Sequence, residues 1–386
     1  MKLGILTQPL HNNYGGLLQN YALQQVLIRA GHEVETIDWQ SLKAGWLRIC
    51  LSRVKGTILP AILPHKYKRP KFKYTPTDKE MATIKRNTNH FINAYIKHTP
   101  SVQSLAGFAK QAEMGQYDGY IVGSDQCWRP KYNSFMPAMF LSFVENKDVK
   151  RIAYAASFGT DTWEFAPKMA SLCAPLAQKF DLVTVREDSG IKNCKEYFGV
   201  EATHVLDPTM LLTKEDYISF IEAEKEPQSS GTLFYYILDP DERKTAFINR
   251  VAETNGLIPF TVMPKNQSET RTKKDIRYHL EDCVYPRVTT WLRAFMDAEM
   301  TIVDSFHGMV FSILFNKPFW VIGNVKRGIS RFVSLLDQFG LKERLLDEKN
   351  LQEIDINKTI DWNTINKKRE ILKQSSLSLL MSALQE

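Results

Sequence analysis

The sequence predicts an α/β protein made of two consecutive parallel-sheet domains. Three observations predict it. Short apolar runs of strand character alternate with stretches of helical periodicity, the grammar of βαβ units. The chain has 386 residues, more than one hydrophobic core usually spans. A polar stretch, EKEPQSSG at 224–231, separates two similar halves and reads as a linker. The expected division is 1–223, 232–345 and a helical tail over 346–386.

The elements follow in order. Residues 3–7 (LGILT) read as a buried strand. Apolar residues at 17, 18, 21, 22, 23, 26 and 27 give a helical stripe over 16–30, and Gly31 stops it. Residues 34–37 are the second strand, with Asp38 at its end. Further strands fall at 119–122, 152–156, 181–185 and 203–206, each running into a polar cluster. A charged helix follows 213. The second set has strands at 232–238, 257–263, 300–303 and 318–322. Its helices fall near 241–255, near 288–298 and, after the cluster 304–308, up to Phe315, and the tail helix begins near 365.

Composition narrows the class. Hydrophobic residues are 44% and charged residues 24%, which fits a globular chain rather than a disordered one. No apolar run reaches the roughly 18 residues that a membrane-crossing helix needs. The N-terminus lacks the pattern of a secretion signal. Cys50, Cys127, Cys173, Cys194 and Cys283 are scattered without metal spacing, so free thiols and a reducing, cytoplasmic compartment are expected. The net charge is +7, and its location matters more than its size. Between Trp39 and Thr77 there is no Asp or Glu, but there are nine basic residues: Lys43, Arg48, Arg53, Lys55, Lys66, Lys68, Arg69, Lys71 and Lys73. The remainder holds 41 basic against 43 acidic residues. Interleaved apolar residues make 43–59 a basic amphipathic helix or a solvated excursion with buried anchors, and the former would lie on an anionic membrane surface. A nucleic-acid partner is not expected, because no recognition fold accompanies the charge.

In open parallel sheets, ligands bind just past the carboxyl ends of strands. That rule selects the clusters Asn12 to Gly16, Gly123 to Gln126, Ser157 to Gly159, Arg186-Glu187 and Asp304 to Gly308. Gly15 and Gly16 serve either a tight turn or an anion at a helix start. The loop is not a dinucleotide fingerprint. Asp125 is a general acid or base, or a turn-capping residue. Arg186 is a carboxylate or phosphate clamp, or an ion-pair partner of Glu187 or another neighbour. His307 sits at a strand–helix junction and is either a catalytic or phosphate-contacting imidazole or a structural histidine. Cys127 reads as structural.

Six segments together resemble the polysaccharide pyruvyl transferases. They are NNYGGLLQNYALQ (12–24), YDGYIVGSDQCW (117–128), AYAASFGT (153–160), VTVREDSG (183–190), LDPTML (206–211) and VDSFHGMVFSILFNKPF (303–319). RGISRFVSLLDQFGL at 327–341 resembles a later Arg-containing segment of that family. The resemblance implies two Rossmann-like domains in a GT-B-like arrangement with an interdomain cleft. It implies transfer of pyruvyl from phosphoenolpyruvate to two hydroxyls of one sugar, giving a ketal and phosphate, with no metal or other cofactor required. By resemblance, Asp125 and His307 are catalytic. Arg186, Ser305, His307, Gly308, Lys317, Arg327 and Arg331 form the donor side. Asn13, Tyr14, Gly15, Gly16, Gln19, Ser124, Asp125, Gln126, Trp128, Ser157 and Phe158 form the acceptor side. Some family members carry Arg-Leu-His where this chain has Ser305-Phe306-His307, so Lys317, Arg327 or Arg331 must supply the missing cation.

Two other functions share this architecture. One is a glycosyltransferase using a nucleotide sugar. The other is a non-catalytic glycan-binding or scaffold protein. For the transferase, the expected acceptor is a lipid-linked oligosaccharide, met by a cytoplasmic enzyme peripheral to the membrane. Neutralising Lys66, Lys68, Arg69, Lys71 and Lys73 together is expected to release the protein from anionic vesicles in co-sedimentation. Unchanged binding, or no binding by the unaltered protein, removes the membrane reading.

Overall fold

The computed structural model describes residues 1–40, 76–266, 273–323, 328–349, 351, 355–356 and 358–385. The basic segment, with the helix expected over 43–59, lies outside the described residues, as does Arg327.

Two all-parallel sheets organise the chain. The first contains β1 (Lys2–Leu6), β2 (Glu33–Thr36), β3 (Gly119–Val122), β4 (Lys150–Ala156), β5 (Leu182–Val185) and β6 (Thr203–His204), in the order β2-β1-β3-β4-β5-β6. The second contains β7 (Leu233–Tyr236), β8 (Pro259–Phe260), β9 (Met300–Val303), β10 (Phe319–Ile322) and β11 (Leu345–Leu346), in the order β11-β10-β9-β7-β8. These are the two Rossmann-like domains expected, in a GT-B-like arrangement. The winding of the strand order reverses between β1 and β3, and again between β7 and β9. At such switch points the loops leaving the two strands diverge and open a crevice.

Apolar helices cover both sheets. The helix Tyr14–Arg29 buries Leu17, Leu18, Leu23 and Leu27 on the first sheet. It also shares a single apolar cluster with the helices Val288–Asp297 and Phe306–Leu314 of the second domain. Tyr217 meets Phe311 edge-on at 4.9 Å within that cluster. The two domains are therefore joined by core, not by a strap alone. The final helix, Trp362–Gln385, returns to the first domain, where Leu206 N donates to Ser376 Oγ at 3.1 Å.

Several elements depart from the sequence reading. The helices Asp78–Ile84, Arg86–Tyr95, Leu105–Gly115, Pro167–Ala177 and Ser330–Phe339 were not assigned by it. The first of these is started by a capping box, Thr77 with Glu80, although only Ile84 of it is buried. The expected strand 257–263 pairs only at Pro259–Phe260. The stretch 224–231 connects the domains, but its acids are held. Glu224 accepts from Tyr95 Oη at 2.7 Å and also pairs with Arg287. Glu226 accepts from Thr289 and Thr290 hydroxyls at 2.6 Å each.

The domains also touch at a glycine pair near the cleft. Gly328 has φ +92°, and a Cβ there would fall 1.7 Å from the carbonyl oxygen of Gly159. Gly328→Ala should therefore incur left-handed strain of about 1–2 kcal/mol and a backbone collision. The expected result is a Tm lowered by about 5 °C or more in calorimetry. Gly31→Ala is the control. Gly31 has φ +88° with nothing within 4 Å of the added carbon, so its loss should be smaller.

Candidate active site

Both switch points open into one cleft of about 650 Å³. The first domain lines it with Gln8, His11, Asn12, Asn13, Gly15, Asp125 and Gln126. The second lines it with Tyr236, Tyr285, Trp291, Asp304, Ser305, Phe306, His307 and Arg331.

A buried charge cluster underlies one end. Arg186, 1% exposed, donates from Nη1 to Asp207 Oδ2 at 2.8 Å and from Nη2 to Asp125 Oδ1 at 3.2 Å. Its guanidinium stacks over the Phe306 ring at 4.3 Å, and Arg331 lies 5.8 Å from the same ring. Asp207 is fully buried. Its Oδ1 accepts from Thr209 N at 3.0 Å and Thr209 Oγ1 at 2.7 Å, and its Oδ2 accepts from Ser124 Oγ at 3.0 Å. His307 reaches across from the second domain to place Nε2 3.5 Å from the same oxygen.

The electrostatics follow from this crowding. Burial alone would raise the Asp207 carboxyl, but His307 and Arg186 outweigh it and hold it well below the usual carboxylate range. Asp125 behaves in the same way: burial opposes ionisation, and Arg186, His307 and Arg331 together overcome it. Burial, helped by repulsion from Arg186, brings Arg331 down to about 10, so it stays a cation at neutral pH. Burial, with Lys85 beside it, pushes His11 down to about 4 against the pull of Asp125. His11 is therefore neutral, and its Nδ1 accepts from Asn13 N at 3.2 Å.

Local backbone places these groups. Asp125 has φ +67°, a left-handed position that Asp tolerates better than most residues. Ser305 caps the helix Phe306–Leu314 by accepting from Gly308 N at 3.0 Å, which sets His307 in the first turn. Gly15 is required by proximity rather than by turn geometry. A Cβ there would sit 2.1 Å from His307 Nδ1, so only a glycine lets the imidazole lie on the start of the helix Tyr14–Arg29. Gly308 is similarly close-packed, with Ser305 Oγ 2.7 Å from an added Cβ.

The remaining residues expected at the site divide by position. Asp125, Gln126, Asn13, Gly15, Ser305, His307 and Arg331 line the cleft. Arg186 and Ser124 lie beneath it and hold the acids. Gly16 packs on Asn13, and Gln19 donates to Thr7 Oγ1 and accepts from Ser124 N, which ties the loops after β1 and β3 together. Trp128 is in the core, stacked on Phe140, with Nε1 donating to Met139 O. Phe158 is core, and Ser157 Oγ donates to Glu187 Oε1. Tyr14 packs beside the cleft with its hydroxyl donating to Pro286 O at 2.9 Å. Lys317 does not reach the cleft, because its Nζ donates to Met296 O at 2.9 Å. Of the two offered cations among the described residues, Lys317 and Arg331, Arg331 is thus the one placed on the cleft wall.

The sequence reading missed Asp207, His11 and the aromatic residues Tyr236, Tyr285 and Trp291 as site residues, while Asp304 was selected only as part of the cluster 304–308. Asp207 had a signal, since it ends a strand before Pro208 within the quoted LDPTML. The aromatic residues had none, because they come from separate elements. Among the described residues, no group of His, Cys, Asp and Glu has the arrangement of a metal site, and no helix is long and apolar enough to cross a membrane.

Solved structures with the same two-domain fold include three of about this size. One is the UDP-GlcNAc 2-epimerase of Neisseria meningitidis bound to UDP-GlcNAc (9% identity, TM-score 0.51, 100% of each chain covered). Another is the UDP-GlcNAc 2-epimerase of Methanocaldococcus jannaschii (12%, TM-score 0.50, 97% of this chain and 99% of that one). The third is the N-terminal domain of Candida albicans trehalose-6-phosphate phosphatase (10%, TM-score 0.52, 100% and 96%). At such identities the likeness concerns the fold alone. No curated protein matches the chain. The fold and cleft define a two-domain protein of the GT-B-like class. The polysaccharide pyruvyl transferase model matches residues 13–326, and the chain belongs to that family of transferases.

The charge cluster makes a testable demand. Both acids have folded-state pKa values below their unfolded ones, so their contribution to stability is present above the ordinary carboxylate pKa and is lost as pH falls below it. Arg186→Met removes the shared counter-ion and leaves two buried carboxylates. It should cost about 3–5 kcal/mol at neutral pH. The deficit should shrink on acidification toward about pH 4–5, where the acids, now shifted upward, take up protons. Thermal melts across that range read the effect. Equal stability at neutral pH would contradict the cluster's role.

Proposed function

We propose that the protein transfers the pyruvyl group of phosphoenolpyruvate to two hydroxyls of one sugar in a polysaccharide precursor. The product is a cyclic ketal, and phosphate is released. The observation that carries this reading is the meeting of His307, Arg331 and Asp125, two cations or proton carriers and one carboxylate, at the point where both switch-point crevices open.

The chemistry fits these parts. Phosphoenolpyruvate brings a phosphate and a carboxylate. Arg331 and the first turn of the helix Phe306–Leu314 supply positive charge for them. Protonation of the enol carbon C3 makes C2 electrophilic, and His307, steadied by Asp207, is the donor of that proton. One sugar hydroxyl forms a bond to C2 while Asp125 takes its proton. The bond between C2 and the phosphate's bridging oxygen breaks, the O–P bond stays intact, and the electron pair leaves on phosphate. The second hydroxyl then closes the ketal. Of the two hydroxyl protons, one replaces that given to C3 and the other departs with phosphate. The fixed Asp125 carboxylate also stabilises positive charge developing at C2. The acceptor's hydroxyl edge lies toward Asn13 and Gln126. The acid-free basic segment supports a precursor carried on a lipid at an anionic membrane face.

A donor screen with phosphate detection tests the reading. Phosphate release from phosphoenolpyruvate only in the presence of a sugar acceptor is expected. Release of UDP or GDP from nucleotide sugars instead would point to a glycosyltransferase. Glycan binding without turnover of any donor would point to a binding or scaffold protein. His307→Ala and Asp125→Asn should each lower turnover by at least about 10²-fold in correctly folded protein. Near-normal rates in both would overturn the assignment.

A further inference from the structure

The loop after β1 carries a cleft residue that the mechanism above does not use. His11 lines the cleft and is half-buried there. The loop that presents it is tied down. Thr7 Oγ1 donates to Ser124 O at 3.0 Å, and Gln8 Nε2 donates to Gln126 O at 2.7 Å. The imidazole thus stands on a held backbone, on the same wall as Asp125.

Its hydrogen bonding fixes the tautomer. Asn13 N lies 3.2 Å from His11 Nδ1. A backbone N–H can only donate, so Nδ1 holds a lone pair, and in the neutral ring the proton is on Nε2. Nε2 has no hydrogen-bond partner among the described residues, and it is not one of the sealed atoms that lack one. The ring therefore offers the cleft one N–H donor. It offers no base, because the nitrogen with the lone pair is already used. Burial between the cleft walls, with Lys85 disfavouring a second positive charge, outweighs the pull of Asp125 and keeps the ring uncharged near neutral pH.

An uncharged donor suits one group of an enol phosphate in particular. The carboxylate is bonded to C2, where positive charge develops once C3 is protonated. A cation on that carboxylate would cancel the negative charge that offsets the one at C2. An N–H from a neutral imidazole orients it and leaves the charge in place. The departing phosphate has the opposite need, and Arg331 on the cleft wall answers it. A charged His11 would also join Arg186, His307 and Arg331 around Asp125 and weaken that carboxylate further as a base.

We propose that His11 is a donor-binding residue, which donates from Nε2 to the carboxylate of phosphoenolpyruvate while Nδ1 accepts from Asn13 N. The donor is then held from both domains, its phosphate by the second and its carboxylate by the first. This assignment rests on the reading of the protein as a pyruvyl transferase.

Two substitutions separate the two nitrogens. His11→Asn puts a carbonyl oxygen near the place of Nδ1, so it keeps the bond from Asn13 N and loses the donor to the cleft. His11→Gln puts an amide N–H near the place of Nε2 and loses the inner acceptor. Phosphoenolpyruvate binding is measured by calorimetry without an acceptor sugar, with folding of each variant checked by circular dichroism. His11→Asn and His11→Ala should each weaken binding by about tenfold or more, and His11→Gln by less. A merely structural role gives the reverse order, with His11→Asn close to the unaltered protein. NMR of the unaltered protein, isotopically labelled at the histidine ring nitrogens, is the second readout. The His11 signal, identified by its loss in either variant, should show a protonated Nε2 and a bare Nδ1 from about pH 8 down to about pH 6. Pyruvate should shift it, and inorganic phosphate should not. A protonated Nδ1, a shift with phosphate alone, or tighter binding by His11→Asn than by His11→Gln overturns the proposal. The two readings fail separately. Phosphoenolpyruvate bound with the expected order of affinities, but without sugar-dependent phosphate release, defeats pyruvyl transfer and leaves the role of His11 standing. Sugar-dependent phosphate release with a phosphoenolpyruvate KM unchanged in His11→Asn defeats the role of His11 and leaves the transfer standing. No binding of phosphoenolpyruvate defeats both.

Discussion

Arg186 is buried between two carboxylates, and the geometry of the cleft depends on that arrangement. It stands at the end of β5, Asp207 just after β6, and Asp125 just after β3, so one guanidinium ties three strand ends of the first sheet. Removing a guanidinium and two carboxylates from water is costly, and good geometry must repay it. Here the repayment is near complete for Asp207, whose oxygens also accept from Thr209 and Ser124. The same Asp207 oxygen then faces His307 of the second domain. A structural ion cluster of one domain thus faces the imidazole of the other at 3.5 Å, and the position of His307 depends on the domains being closed together.

Close approach is the second constraint. His307 occupies the space a side chain at position 15 would take, and the loop at Gly159 occupies the space of one at position 328. The domains therefore meet through backbone on one side and through side chain on the other. Such contacts admit little variation, since an added methyl collides with atoms that have nowhere to move. The shared apolar cluster beneath, from Tyr14 through Trp291 to Phe311, supplies the adhesion that these contacts only position.

The order of strands and helices was legible because burial on both faces gives parallel strands continuous apolar runs, as in GYIV at β3 and MTIV at β9. The site clusters were legible because strand ends are where such sheets bind ligands. What stayed hidden has physical causes. The helix Asp78–Ile84 is mostly polar and is defined by a cap rather than a stripe. Gly15 carried two readings in the sequence, turn or anion site, and neither was proximity to a histidine 292 positions away. Lys317, Arg327 and Arg331 were equivalent on paper, since the sequence does not say which cation a neighbouring carbonyl has already taken. The aromatic wall is assembled from residues between 236 and 291 whose periodicity reads simply as core.

The charge balance of the cluster gives the pyruvyl-transfer reading a further consequence. With the cleft empty, Asp125 is held ionised by Arg186, His307 and Arg331, and a carboxyl so stabilised is a poor base. On that reading, phosphoenolpyruvate would bring its own negative charge to Arg331 and His307. The Arg331 charge would then be shared, and like-charge repulsion from the donor would raise the proton affinity of Asp125. Arg186 stays beneath, still paired, so the raised affinity does not become full neutralisation. The proposed base would thus gain strength when the donor is in place, next to the hydroxyl whose proton it would take. The buried pair of Arg186 and Asp207 would hold the site's frame throughout, and Arg331 on the cleft wall would couple donor binding to proton transfer in the proposed reaction.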